Sequence, residues 1–325
     1  MRKLLVHAKT FERIEDALTP FADQISPLIL SDEGDLKHPW GESEAKAAIA
    51  FGTPDAYFSP AVMSFFQTLL EFDQLDWFQS SAAGIEHPML QAIGKKAGLY
   101  SGSHEQSEAI AEWVLWAALD HFQRGTARRA AQAAHNWERL PFREISSTHW
   151  LIVGFGAIGQ ACGRRLRALG ASVTGVRRSG GHSDAADQMI TPGALPDALR
   201  QADVVLLSLP LTDDTENLAD AAFFEAMRPG SLFVNVGRGG LVDEDALIAA
   251  LDSGHLAHAS LDVVREEPLS KDSPIWDHAQ ITLTPHISAH TPQSQRRTDR
   301  VFLTNLELFL AGKRLKNQVS ADAFS

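Results

Sequence analysis

Apolar residues fall along this chain in two alternating patterns. Some form short continuous runs, and others return every three or four positions over longer stretches. Continuous runs suit strands buried on both faces, and the wider spacing suits amphipathic helices. The clearest unit starts near residue 150. Leu151-Ile152-Val153 leads into Gly154-Phe155-Gly156-Ala157-Ile158-Gly159, then Ile158, Cys162, Leu166 and Leu169 follow at helical spacing, and Ser172-Val173-Thr174-Gly175-Val176 forms a second β-type run after Gly170. That order predicts strand, tight turn, helix and parallel strand. The alternation continues through Val204-Val205-Leu206-Leu207, Leu232-Phe233-Val234-Asn235-Val236, Ala259-Ser260-Leu261-Asp262-Val263 and Ile281-Thr282-Leu283, with helices expected near residues 220–227 and 244–253. Such βα alternation predicts a doubly wound parallel sheet.

Upstream, Leu4-Leu5-Val6, Ala48-Ile49-Ala50-Phe51 and Trp77-Phe78-Gln79-Ser80 read as strands, with helical spacing over residues 60–72. This predicts a smaller α/β domain. Residues 107–131 read as one long helix carrying Trp113 and Trp116, its apolar surface broad enough to connect domains and pack against a partner surface. A final helix over residues 292–311 is placed to cross back to the first domain. The expected division is a smaller domain over 1–104 completed by 290–325, and a larger one over 105–289.

The glycines at the first bend each have a mechanical use. Gly154 permits the turn, Gly156 lets a pyrophosphate approach the backbone, and Gly159 brings helix and strand close. The helix start then offers unpaired N–H groups and a positive dipole end to phosphates. At the end of the second strand, where an NAD site usually carries a carboxylate, the chain has Arg177-Arg178-Ser179. Two guanidinium groups there suit a 2′-phosphate, which predicts NADP in preference to NAD; as plain surface charges they would predict nothing.

Composition narrows the partners. A net charge of −12 argues against nucleic acid or an anionic membrane, both of which call for a basic surface. The single cysteine, Cys162, rules out an intrachain disulfide framework and reads as a small buried helix residue. The start of the chain reads as a first strand and not a signal peptide, and no apolar run is long enough to span a bilayer, so a cytoplasmic location is expected. The 13 histidines show no zinc-type spacing, so no metal is expected.

Ligands of such sheets sit beyond the C-terminal ends of the strands. The polar residues there are Arg238 after Val236-Gly237, Asp262, Glu267 before Pro268, and His286 after Thr284-Pro285. Taken singly, each is an ordinary loop or surface residue. In order along the chain they resemble the D-isomer-specific 2-hydroxyacid dehydrogenase family, with its glycine fingerprint, the segment Val234-Asn235-Val236-Gly237-Arg238-Gly239, the segment from Asp262 to Glu267-Pro268, and Thr284-Pro285-His286. The turn Pro210-Leu211-Thr212-Asp213-Asp214-Thr215 matches as well, and the resemblance runs from about residue 82 to 312.

The resemblance implies two Rossmann-like doubly wound domains, the smaller one discontinuous, with the active site in the cleft between them. It implies that Arg238 binds a substrate carboxylate and polarises its carbonyl, that His286 donates the proton, and that Glu267 hydrogen-bonds the histidine. Glu266 competes for that last role, and the Pro268 that follows Glu267 favours Glu267. Gly154, Gly156, Ala157, Ile158, Gly159, Arg177, Arg178, Ser179, Leu209, Pro210, Thr215, Val236, Gly237, Arg238, Asp262 and His286 would line the cofactor, Asp262 by orienting the nicotinamide carboxamide. The backbone of Ala83, Gly84 and Ile85 would hold the substrate carboxylate, although as composition alone that stretch is a plain connecting loop.

The expected activity is NADPH-dependent reduction of a small 2-oxo acid of the glyoxylate or hydroxypyruvate type to the D-2-hydroxy acid, in a homodimer, with NAD possible. Loops near Gly52-Thr53-Pro54, Trp40 and Tyr100 would set substrate size. His290 departs from the family pattern and lacks an assigned role. The alternatives are a formate- or phosphite-type dehydrogenase on the same fold, and a non-catalytic nucleotide-sensing scaffold of the co-repressor kind, which the joint presence of Arg238, Glu267 and His286 disfavours.

Overall fold

The computed structural model describes residues 1–82 and 84–324. It divides into two compact units, Met1–Glu105 with Thr291–Ser325, and Gln106–His290.

The first unit holds β1 (Arg2–His7), β2 (Ile25–Leu30), β3 (Leu36–Lys37), β4 (Ala47–Gly52), β5 (Gln74–Ser80) and β6 (Leu99–Ser101). With a short C-terminal strand, Gln318–Val319, the sheet order is Gln318–Val319, β6, β5, β4, β1, β2, β3. The two outermost strands run antiparallel and the rest are parallel. Successive side chains of a strand point to opposite faces. Leu4, Val6, Ile49, Phe51 and Trp77 therefore face the helices Ala8–Leu18 and Pro292–Leu310, while Leu5, Ala48, Ala50 and Phe78 face Val62–Glu71 and Pro88–Lys96. Phe302 of the last helix stacks on Phe51 at 4.3 Å and on Trp77 at 5.4 Å.

The second unit is built on β7 (His149–Val153), β8 (Ser172–Val176), β9 (Gln188–Ile190), β10 (Val204–Leu207), β11 (Ser231–Asn235), β12 (Leu256–Leu261) and β13 (Ile281–Leu283). All run parallel in the order β13-β12-β11-β10-β7-β8-β9. The chain steps outward from β7 to β9, then returns to lay β10 beside β7. That reversal opens a crevice above the C-terminal ends of β7 and β10, the place where doubly wound sheets take ligands. Leu151, Val153, Val205 and Leu207 pack one face, and Trp150, Ile152, Val204 and Leu206 the other.

The expected helix over 107–131 is in fact two, Ser107–Phe122 and Gly125–Ala133. The break comes at Arg124, which lies in the left-handed region at φ 57°, before Gly125, where a Cβ would fall 2.0 Å from the Asp120 carboxylate. Arg129 then closes an ion pair to Asp120 at 2.6 Å. One face of the first helix, carrying Ala111, Val114 and Ala118, is buried inside this unit, while Trp116 and Leu119 are exposed. Among the described residues no helix is long and apolar enough to cross a membrane.

Candidate active site

In the glycine turn between β7 and the helix Ala157–Ala168, two of the three glycines sit where a side chain would collide and the third faces open space. Gly154 has φ +95°, and a Cβ there would lie 2.7 Å from the backbone of Leu209 and Ser208, at the end of β10. The Ser208 hydroxyl donates to the Gly154 carbonyl at 2.8 Å, fastening the two strand ends. At Gly159 a Cβ would lie 2.6 Å from the Gly154 carbonyl oxygen. Gly156 differs: a Cβ there meets nothing within 4 Å. Its lack of a side chain leaves an approach open, and the helix it caps has no side-chain cap bonded to its first N–H groups. Open space against uncapped N–H groups at a helix start suits a pyrophosphate, so the residues fit a bound dinucleotide.

Beyond β8 the two arginines part company. Arg177 turns back on its own loop, its Nε and Nη2 donating to the Gly180 carbonyl at 3.0 and 2.7 Å. Arg178 and Ser179 are exposed. On the β10 side, the Thr215 hydroxyl donates to the Pro210 carbonyl at 2.9 Å and accepts from Thr212 N at 2.8 Å, which closes the turn after half-buried Leu209.

After β11, Asn235 shapes the approach to Arg238. Its buried amide accepts from Gly237 N at 3.0 Å and donates to the Arg238 carbonyl at 2.9 Å. Arg238 is half-buried, with Nη1 donating to the Gly237 carbonyl at 2.7 Å. Val236, where this turn begins, is buried in the core of the unit. Asn235 belongs to the motif quoted above, but its work is done by a side chain folded onto backbone, which spacing does not reveal.

Glu267 and His286 meet. His286 Nδ1 lies 2.8 Å from Glu267 Oε2, and Glu267 Oε1 accepts from Val264 N at 3.2 Å. Burial pushes the Glu267 carboxyl up, but the hydrogen bond and charge of His286, the Val264 N–H and the Arg238 guanidinium outweigh it, and the net shift is downward. The carboxylate is therefore anionic near neutral pH. Glu266, the competitor, makes no such contact among the described residues. Asp262 is buried at the end of β12, and His286 N donates to its carbonyl at 2.7 Å. His290 is exposed, with its N–H on the Ile287 carbonyl at 2.8 Å.

In the first unit, Gly84 and Ile85 are half-buried, and the Ile85 carbonyl accepts from Gln91 Nε2 at 2.9 Å. Ala83 lies outside the described residues. Ser80 Oγ props the start of this loop, accepting from Ala82 N at 3.0 Å and sharing a 3.0 Å hydrogen bond with the Tyr57 hydroxyl. Of the side chains expected to set substrate size, Tyr100 is in the core, packed on Phe78 and Phe324, and Trp40 rests against Phe11. Tyr100 is buried, whereas Trp40 is half-buried. Among the described residues, no three His, Cys, Asp or Glu side chains are grouped to hold a metal ion.

Comparison with known proteins puts this geometry in context. The family model for the D-isomer specific 2-hydroxyacid dehydrogenase NAD binding domain matches residues 115–288. Glyoxylate/hydroxypyruvate reductase B of Shigella boydii is 39% identical over 226 residues, 66% of this chain and 68% of that one. D-3-phosphoglycerate dehydrogenase of Mycobacterium bovis is 29% identical over 306 residues, covering 92% of this chain but only 58% of the mycobacterial enzyme. Among solved structures, the NADPH-dependent glyoxylate/hydroxypyruvate reductase of Sinorhizobium meliloti, in complex with NADP and sulfate, aligns with a TM-score of 0.77 at 25% identity over 100% of this chain and 99% of that one. With the glycine turn, the strand order and the family match falling on the same residues, the chain belongs to the D-isomer specific 2-hydroxyacid dehydrogenases, a family of oxidoreductases.

Proposed function

We propose that this protein reduces a small 2-oxo acid, of the glyoxylate or hydroxypyruvate type, to the D-2-hydroxy acid with NADPH. The observation that carries the reading is the 2.8 Å pair between His286 and Glu267, with Arg238 close enough to help hold the Glu267 carboxyl low. The dinucleotide, when bound along the glycine turn of residues 154–159, supplies the hydride. Arg238 binds the substrate: its planar fork matches a carboxylate and an adjacent carbonyl oxygen. His286 gives its Nε2 proton to that oxygen as alkoxide charge builds there. Nδ1 is the atom turned to Glu267, so the carboxylate orients the ring and leaves Nε2 as the nitrogen offered to the substrate. The backbone of residues 83–85, in the unit built from both chain ends, takes the substrate carboxylate. Residues 105–289 serve as the cofactor domain.

NADP preference rests on Arg178 and Ser179, which are exposed at the end of β8, while Arg177 holds the turn from within. The S. meliloti reductase, solved with NADP, supports the same choice. The exposed Trp116, Trp137 and Phe142 support a homodimer, and sedimentation at micromolar concentration tests it. We place the protein in the cytoplasm. An initial-rate panel of glyoxylate, hydroxypyruvate, larger 2-oxo acids, formate and phosphite, each with both cofactors, tests the function. Turnover confined to formate or phosphite, or no turnover at all, rejects the reading.

A further inference from the structure

Asp262 puts all the hydrogen bonds of its carboxylate into one loop. Oδ1 accepts from Thr284 Oγ1 at 2.6 Å and from Ile287 N at 2.9 Å. Ser288 N donates to Oδ1 at 3.2 Å and to Oδ2 at 3.1 Å. The Asp262 carbonyl takes His286 N at 2.7 Å, and the residue is 1% exposed. The donors therefore flank His286 on both sides. His286 itself sits at φ +51°, a left-handed conformation that a non-glycine residue holds only when its surroundings impose it. Among the described residues, the only side-chain carboxylate bonded to the backbone of this loop is that of Asp262, and an ionised acceptor binds N–H and O–H donors more strongly than a neutral one.

We propose that Asp262 is the positioning residue of the proton donor: its carboxylate clamps residues 284–288 in the conformation that brings the His286 ring to Glu267. This rests on the reading of His286 as donor. It departs from the role implied by resemblance, in which the Asp262 carboxylate reaches the nicotinamide carboxamide. Of the carboxylate's roughly four acceptor sites, three donors of one loop take most, which leaves about one for a ligand.

The test uses the full chain with Asp262→Asn, whose amide group presents N–H to the Ser288 N–H in place of an acceptor. In the protein without cofactor, amide hydrogen exchange of the peptide spanning residues 282–290 should speed up by about tenfold or more, while β7 and β11 keep their protection. Unchanged exchange in that peptide overturns the proposal. In turnover, kcat should fall by about 10- to 100-fold from the misplaced donor, with KM for the 2-oxo acid and the NADPH dissociation constant nearly unchanged. NADPH binding that weakens in step with kcat, with the loop still protected, returns Asp262 to the carboxamide. In a His286→Ala background, adding Asp262→Asn should cost nothing further, because the clamp acts through the ring; a full additional loss refutes it. Should the Asn variant fail to fold, Thr284→Val removes the 2.6 Å donor alone and should still quicken exchange and lower kcat several-fold. A wild-type enzyme inactive on every 2-oxo acid would defeat the functional reading, yet the exchange measurement would still decide what Asp262 does.

Discussion

Replacing the three turn glycines one at a time with alanine should separate folding from cofactor binding. Gly154 is at φ +95°, and its new methyl would lie 2.7 Å from the Leu209 and Ser208 backbone. The left-handed conformation costs an alanine roughly 1–2 kcal/mol and the overlap roughly 1–3, so Gly154→Ala should lose about 2–5 kcal/mol. Gly159→Ala, with 2.6 Å to a carbonyl oxygen and an ordinary φ, carries the overlap term alone. Gly156 is the contrast, since its φ of −85° suits alanine and a Cβ meets nothing within 4 Å. There the gain of about 0.4–1 kcal/mol from a stiffer unfolded chain offsets the roughly 0.5–1 kcal/mol by which alanine is a poorer N-cap than glycine. The methyl would instead occupy the approach to the helix N–H groups. Each phosphate hydrogen bond it displaces is worth about 1.5–3 kcal/mol, a loss of roughly 10- to 150-fold in affinity. Thermal melting without cofactor measures the first quantity, at about 2–4 °C per kcal/mol for a unit of this size. Quenching of tryptophan fluorescence by NADPH measures the second. A Gly156→Ala protein that binds NADPH like the wild type, or that melts as early as Gly154→Ala, refutes the assignment of roles.

His286→Ala should lower kcat by about 10²- to 10⁴-fold while leaving NADPH affinity intact, checked by stopped-flow turnover beside a binding titration. Arg178→Asp should turn the kcat/KM preference from NADPH towards NADH, whereas Arg177→Ala, by freeing the Gly180 carbonyl, should weaken both cofactors together. The Glu267 carboxyl is lowered in the folded protein, so its contribution to stability is present above the ordinary carboxylate value of about 4.3 and is lost as pH falls through its folded value. Urea unfolding from neutral pH down to about 3 should therefore show a shallower acid loss for Glu267→Gln, by a modest amount because solvent reaches the pair. Cys162 is buried, and burial pushes its thiol up to about 12. An aromatic disulfide reagent at neutral pH should leave the folded chain untouched and label it once after denaturation.

The second unit was readable because its strands are buried on both faces and so appear as unbroken apolar runs, with glycines between β7 and the next helix. Where that signal fades, so does the reading. β2 is buried throughout but contains Pro27, a residue that argues against a strand unless the strand lies near a sheet edge, as β2 does beside the two-residue β3. β9 is only three residues long and partly exposed. The helix break at Arg124 depends on a left-handed non-glycine residue, which composition does not announce. Motif order brought Arg238, Glu267 and His286 into one proposal, and the 2.8 Å pair joins two of them. What each side chain does with its remaining hydrogen bonds was hidden. Arg177 and Arg178 look alike in sequence and differ only in whether the Gly180 carbonyl is within reach, and Asp262 and Asn235 spend their polar atoms on neighbouring backbone.

The last helix and the tail after it seal one face of the first unit: Phe302 covers Phe51 and Trp77, and Asn305 Nδ2 reaches Gln79 Oε1 across 226 residues of chain. During synthesis the second unit is contiguous and can condense once residue 290 has left the ribosome. The half-built sheet ahead of it must meanwhile keep two large aromatic rings uncovered. At about 5–20 residues per second that interval lasts roughly 10–45 s. Phe51 and Trp77 of the nascent chain are thus an expected target for chaperones that bind exposed apolar surface, and slowed elongation after β5 would lengthen the exposure without altering a single contact in the finished protein.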